Sequence, residues 1–102
     1  MIQDTKRSVM EQVRGMVAVH FFCVRDRSDH LAGSMQTFHE LNGDEGDFFQ
    51  IIAEIESRFN IKLDLHDLQK QTPADRPDHF LFLTAEIIGE YVWKMFFAAR
   101  AR

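Results

Sequence analysis

One segment of the sequence, residues 44–59, has apolar side chains at steps of four, three and four residues, namely Phe48, Ile52, Ile55 and Phe59. This is the period of an α-helix that buries one face. A β-strand, whose side chains alternate at every second residue, cannot place all four on one side. The segment therefore predicts an amphipathic helix, whose apolar face other elements must cover.

The two ends of this helix are also marked. Asp44 is a preferred N-cap residue, and Asp47 lies three residues later, where a capping box has its acidic member. Glu45 and Asp47 fall in the first turn, where the positive end of the helix dipole favours negative charge. Asn60 is a favourable C-cap. The helix is therefore predicted to run from Asp44 to about Phe59.

Two more segments show helical spacing. The first extends from residue 4 or 5 to about residue 22, with Val9, Val13, Met16 and His20 on its apolar side. The second extends from about residue 84 to 99 and has a wide apolar stripe. That stripe consists of Ile87, Ile88, Tyr91, Val92, Met95 and Phe96.

The remaining segments are read as connectors. The continuous apolar run 17–24 leaves two interpretations, the end of the first helix or a short buried strand, and length favours the helix. Residues 25–43 are polar, with Leu31, Met35, Phe38 and Leu41 as anchors onto the core. Residues 61–68 predict one short helical turn, followed by a loop that contains proline. The chain of 102 residues is thus predicted to be a single all-α domain, a small bundle of three main helices and one short helix.

Charge and cysteine content narrow the classes of partner. Asp and Glu outnumber Lys and Arg by 16 to 12, which disfavours nucleic acid or an anionic membrane as partner. A partner protein with a basic surface suits this charge better. Cys23 is the only cysteine, and no apolar run reaches the roughly 18 residues of a membrane span. We therefore expect a cytoplasmic protein without a disulfide.

The segment LNGDEGDFFQIIAEIESRFNIKL, residues 41–63, resembles the acyl carrier protein family. That family has a Leu-Gly-x-Asp-Ser-Leu-Asp start, hydrophobic residues at helical spacing, an acidic pair, Phe and a short hydrophobic tail. The resemblance extends loosely from Phe38 to Val92 and implies an acyl-carrier-like bundle. The residues in step with the family pattern are Leu41, Asp44, Asp47, Ile51, Ile55, Glu56, Phe59 and Leu63.

The sequence departs from the family at the position that matters chemically. In the family a serine hydroxyl carries a phosphopantetheine arm as a phosphodiester, whereas this chain has Glu45 there, followed by Gly46. A carboxylate does not form that linkage stably, so no cofactor is expected. The resemblance also implies a core that shelters an acyl chain. We predict that Phe48, Phe49, Ile52 and Phe59 fill this core instead.

Two other serines keep an alternative open. Ser34, in AGSM, resembles the attachment motif locally, and Ser28, in DRSDHL, is the second candidate. A helix opened by Ser34 would have to contain Asn42, Gly43 and Gly46, which disfavour a helix interior. Phosphopantetheine is therefore expected only if the alignment at Glu45 is wrong.

The resemblance further implies recognition by partner enzymes through the acidic second helix. The corresponding residues here are Glu40, Asp44, Asp47, Glu54 and Glu56. The expected function is thus a non-catalytic interaction or scaffold domain of lipid or secondary-metabolite biosynthesis. A solvated helix face explains the same charges, and an unrelated regulatory helical domain is the remaining class. Glu45 itself either mimics the charged arm or simply stabilises the helix start.

Two further sets of residues suggest sites. Met95, Phe96 and Phe97 exceed what one stripe can bury, which indicates a homodimer or partner interface. His20, Cys23, His30 and His39 contain residue types that bind zinc. Their spacing matches no compact pair of ligands, and we expect a partly buried histidine and a buried thiol instead. No nucleophile and base stand at a recognisable spacing, so an enzyme is not expected.

Overall fold

The computed structural model describes residues 5–21 and 36–100, and these form a small bundle of helices without a β-strand in the described part. This confirms the predicted all-α class. No described helix is both long and apolar enough to cross a membrane. The helices are α1 Lys6–Val19, α2 Glu45–Phe59, α3 Leu65–Gln69 and α4 Ala85–Arg100, with a 3₁₀ helix Phe80–Phe82 before α4.

Helix α1 begins as its sequence predicts and ends in a wider local geometry. The hydroxyl of Thr5 accepts a hydrogen bond from the Ser8 N–H at 3.1 Å, which caps the helix. After Val19, the residues His20 and Phe21 continue the helix as a π turn. The apolar run is thus helical up to Phe21, and residues 22–24 lie outside the described residues.

Helix α2 has the predicted caps at both ends. The Asp44 carboxylate accepts from the Asp47 N–H, and the Asp47 carboxylate accepts from the Asp44 N–H, both at 2.9 Å. This is a complete capping box. Asn60 ends the helix in the left-handed region, with φ at 54°. The predicted bounds are confirmed to within one residue.

Two ion pairs join α1 to α4. The Arg14 guanidinium donates to both Glu86 carboxylate oxygens, at 2.9 and 2.7 Å, and Lys6 lies 2.9 Å from Glu90. The hydrogen bonds from Arg14 lower the pKa of Glu86 from its ordinary value. Because higher numbers on α1 pair with lower numbers on α4, the two helices are antiparallel.

Contacts at the two ends of α2 fix its direction. His20, at the end of α1, pairs with Asp47 in the first turn of α2. At the other end, the rings of Phe59 and Phe96 have centroids 5.6 Å apart. Helix α2 is therefore antiparallel to α1 and parallel to α4, so the starts of α2 and α4 share one end of the bundle.

An aromatic cluster, consisting of Phe21, Phe38, Phe48 and Phe80, holds the segment before α2 onto the core. The Phe38 ring has edge-on contacts with the other three, at centroid distances of 5.7, 5.7 and 6.1 Å. The Phe38 N–H also donates to the carbonyl of Leu83 at 3.1 Å, next to the start of α4. Phe38 is fully buried, as an anchor should be.

Three other predictions about packing have different outcomes. Leu41 is buried, which confirms it as an anchor, while Leu31 and Met35 lie outside the described residues. Phe49 does not help to fill the core, because 48% of it is exposed. Its position directly after Phe48 turns it about 100° around the helix, away from the buried face.

Tyr91 links the short helix α3 to α4. Its hydroxyl donates to an Asp67 carboxylate oxygen at 3.0 Å. Burial, together with this bond to Asp67, raises the pKa of Tyr91 to about 12. The phenol therefore stays protonated, and remains a donor, throughout the neutral range.

Candidate functional site

Glu45, which occupies the predicted prosthetic-group position, is the first residue of α2 and is exposed. Among the residues that the structure describes, it has no hydrogen-bond or salt-bridge partner. Asp44 before it caps the helix, and Gly46 after it is exposed. The helix start thus presents a free carboxylate to solvent, where the resemblance calls for a serine hydroxyl.

Glu40 and Asp44 precede Glu45 in the chain by five residues and one residue, and we call these three residues the acidic end. All three are exposed. A Glu40 carboxylate oxygen accepts from the Thr37 N–H at 2.9 Å, and the Thr37 hydroxyl accepts from the Glu40 N–H at 3.1 Å. The bond from the Thr37 N–H keeps the pKa of the Glu40 carboxyl below its ordinary value. The charge of Glu40 is therefore held in a defined place.

Glu54 and Glu56 lie apart from the acidic end. Glu54 follows Glu45 by nine residues, which is two and a half helical turns, so it projects from the opposite flank. It lines a groove of about 330 Å³ together with Met16 and Val19 of α1. A Glu56 carboxylate oxygen accepts from the Leu63 N–H at 2.9 Å, so this residue supports the chain after α2.

Asp47 is inside the protein, with 4% of its surface exposed. One carboxylate oxygen lies 2.8 Å from His20 Nε2, and the other accepts from the Asp44 N–H. This corrects its assignment to the partner-facing surface, because no partner can reach a carboxylate that is buried in this way. Its role is to tie the end of α1 to the capping box of α2.

The histidine of this pair is buried as well, with 2% of its surface exposed. Its second ring nitrogen, Nδ1, has no hydrogen-bond partner in the described part of the chain. A neutral imidazole that donates from Nε2 to Asp47 leaves Nδ1 as an unpaired acceptor. His20 is thus held by one strong polar contact, and the loss of Asp47 would leave a buried ring without any.

The sequence indicates the local environment of both members of this pair, but it does not indicate that they contact each other. His20 was predicted to lie partly buried on the apolar face of α1 and is almost fully buried there, and Asp47 was predicted to be part of the cap. A signal was present, since a histidine on an apolar face needs a hydrogen-bond partner. Nothing in the local sequence shows that this partner lies 27 residues away.

Of the four residues of zinc-binding type, the structure describes His20 and His39, and the described residues contain no group of three or more His, Cys, Asp or Glu side chains that could hold a metal ion. His20 pairs with Asp47, and His39 is exposed. Cys23 and His30 lie outside the described residues, as do the alternative attachment residues Ser28 and Ser34.

The C-terminal aromatic residues divide between core and surface. Phe96 is 6% exposed and belongs to the core, which corrects its assignment to an interface, and Met95 is partly buried. Phe97 is 59% exposed. The guanidinium carbons of Arg58 and Arg100 lie 5.7 and 5.2 Å from the ring centroids of Phe59 and Phe96 respectively. We call Arg58, Phe97 and Arg100 the basic end.

Comparison of the chain with protein-family models, curated proteins and solved structures finds no match. The resemblance to acyl carrier proteins therefore stays a prediction from the residues quoted above.

Proposed function

We propose that this chain is a non-catalytic, acyl-carrier-like domain that binds a partner protein through its acidic end and works without a phosphopantetheine arm. The observation that carries the proposal is the position of Glu45. It is the first residue of α2, exposed and without a partner among the described residues. In the acyl-carrier frame the arm would begin at this residue.

The structure supports the acidic end as a defined surface. Glu40 is fixed by two hydrogen bonds to Thr37, and Asp44 is fixed by the capping box. The capping box is in turn held by the buried contact between Asp47 and His20. Charges that are already in place lose less conformational entropy when a partner binds. A partner with a basic surface fits them, and the resemblance suggests a biosynthetic enzyme.

The expected strength of binding follows from the exposure of these groups. Exposed ion pairs contribute little each, so three carboxylates supply only a modest affinity. They act mainly by accelerating encounter and by orienting the partner. We therefore expect binding that weakens as salt is added, since the Debye length shortens from about 8 Å at physiological ionic strength to about 3 Å at 1 M.

The proposal predicts that neutralising the acidic end removes partners from this protein. Immobilised wild type, E40Q/E45Q and E11Q/E90Q would be exposed to a lysate of the source cells, and the retained proteins quantified by mass spectrometry. The glutamine at position 40 keeps an oxygen that can accept from the Thr37 N–H. Glu11 and Glu90, which pair with Arg7 and Lys6, give a control with the same change in net charge.

We expect E40Q/E45Q to retain several-fold less of the specific partners, and E11Q/E90Q to retain as much as the wild type. Equal retention by all three proteins would contradict the proposal. Single variants E45Q and E45S test whether Glu45 mimics the charged arm. Unchanged partner binding in both would reduce Glu45 to a residue that stabilises the helix.

A further inference from the structure

Exposed carboxylates lie at one end of the bundle and two exposed arginines at the other. The acidic end lies at the start of α2, and Arg58 lies in its last turn. Because α4 is parallel to α2, Arg100 reaches the same end as Arg58, where the rings of Phe59 and Phe96 meet. A helix of 15 residues spans about 22 Å, which separates the two charged ends within one molecule.

The three residues of the basic end are exposed to solvent. Its two guanidinium groups flank the Phe59 and Phe96 rings, at 5.7 and 5.2 Å from the respective centroids. Such cation–π contacts hold an arginine in place and leave its N–H groups available as donors. Neither arginine forms a salt bridge with another residue of the described segments. Phe97 lies nearby on α4, 59% exposed.

The two ends of one molecule cannot neutralise each other. Their separation of about 22 Å exceeds the Debye length of about 8 Å at physiological ionic strength. Helix α2 joins the two ends as one continuous helix. Complementary charges on one rigid body can therefore meet only between two molecules.

We infer that the acidic end binds the basic end of a second copy of this chain, so that copies associate head to tail. This inference rests on the proposed function, because it names the partner of the acidic end. The contact would pair Glu40 and Glu45 with the two guanidinium groups, whose planar donors fit carboxylates. Phe97 would add apolar burial beside these pairs.

A head-to-tail contact differs from a symmetric dimer in its consequences. It uses two different surfaces, so each copy keeps one unused end, and the assembly grows as a chain or closes into a ring. A symmetric dimer through Phe97 stops at two copies and needs no acidic end. The two arrangements are therefore distinguished by charge-reversed variants that are studied separately and mixed.

The experiment is sedimentation velocity over a range of protein concentrations in low salt and in 1 M salt. Two variants are compared with the wild type. E40K/E45K has basic groups at both ends, and R58E/R100E has acidic groups at both ends. Circular dichroism confirms that each variant keeps the helical content of the wild type. An equimolar mixture of the two variants is the decisive sample.

We expect the average mass of the wild type to rise with concentration in low salt and to fall to that of a monomer in 1 M salt. Each variant alone should stay monomeric, and the mixture should associate at least as strongly as the wild type. Only complementary ends produce this pattern. The mixture restores both kinds of contact, while neither variant can contact a copy of itself.

A wild type that stays monomeric at every concentration overturns this inference. So does a variant that associates alone as the wild type does, which would indicate a symmetric dimer through Phe97. Neither result decides the proposed function, which depends on the comparison of E40Q/E45Q with E11Q/E90Q. A monomeric wild type whose E40Q/E45Q variant loses captured proteins would show that the partner is a different protein.

Discussion

Asp47→Ala is expected to lower the free energy of unfolding by about 2–4 kcal/mol, because it leaves the buried His20 ring without its hydrogen-bond partner and removes one member of the capping box. The substitution removes the carboxylate that lies 2.8 Å from His20 Nε2. The unpaired ring then has no described hydrogen-bond partner at either nitrogen. It also destroys half of the capping box of α2, a loss included in this range.

Two variants sharpen this prediction, measured by urea unfolding followed by circular dichroism at neutral pH. Asp47→Asn keeps one oxygen as an acceptor and loses the other, so its cost should lie between those of the wild type and D47A. Glu45→Ala changes the exposed neighbour in the same turn and should stay within about 0.5 kcal/mol of the wild type. Equal stabilities of D47A and E45A would show that the pair with His20 contributes nothing.

Phe38→Ala is expected to cost about 3–5 kcal/mol, the range for a fully buried phenylalanine that leaves a cavity. Phe38 contacts Phe21, Phe48 and Phe80, each from a different part of the chain. Its truncation therefore removes packing from α1, from α2 and from the 3₁₀ helix at once. Limited proteolysis should also cleave the segment before α2 faster, because its main anchor is gone.

Phe49→Ala is the matched control for that experiment. Phe49 has the same side chain as Phe38 and lies beside Phe48 in α2, but 48% of it is exposed. Its truncation should cost about 1 kcal/mol or less, because only about half of the residue leaves water on folding. Comparable losses of stability in F38A and F49A would contradict the packing described above.

The sequence predicts the helices well where local signals determine them. The bounds of α2 follow from the spacing of its apolar residues and from Asp44 and Asn60 at its ends. These signals act within a few residues and hold whatever packs against the helix. The burial of Phe38 could also be predicted from the sequence, because burying a large apolar residue of a polar connector is favourable.

The candidate site is harder to predict from the sequence, because its geometry depends on contacts between distant segments. The acidic residues of α2 looked like one surface in the sequence, yet Asp47 is buried against His20 and Glu54 lies on the opposite flank. Glu56 is engaged by the Leu63 N–H, seven residues later. A count of charges cannot anticipate such contacts. Only helix register and tertiary packing reduce the set to the acidic end.

The same limit applies to the aromatic residues at the C-terminus. An excess of them indicated an interface, but the number of apolar residues cannot tell which ones the core accommodates. Phe96 packs against Phe59, whereas Phe97, one position further around the helix, is exposed. The sequence does not indicate that Arg58 and Arg100 lie at one end of the bundle, because this requires α2 and α4 to end side by side.

The proposed function requires that Glu45 occupies the position of the arm-bearing serine of acyl carrier proteins. It is tested most directly by the intact mass of the protein after incubation with coenzyme A and a phosphopantetheinyl transferase. The variant E45S, treated in parallel, restores the missing hydroxyl at the start of α2. We predict that the mass of the wild type does not change and that E45S gains one arm. A wild type that gains the arm, at Ser34 or Ser28, would contradict the proposed function.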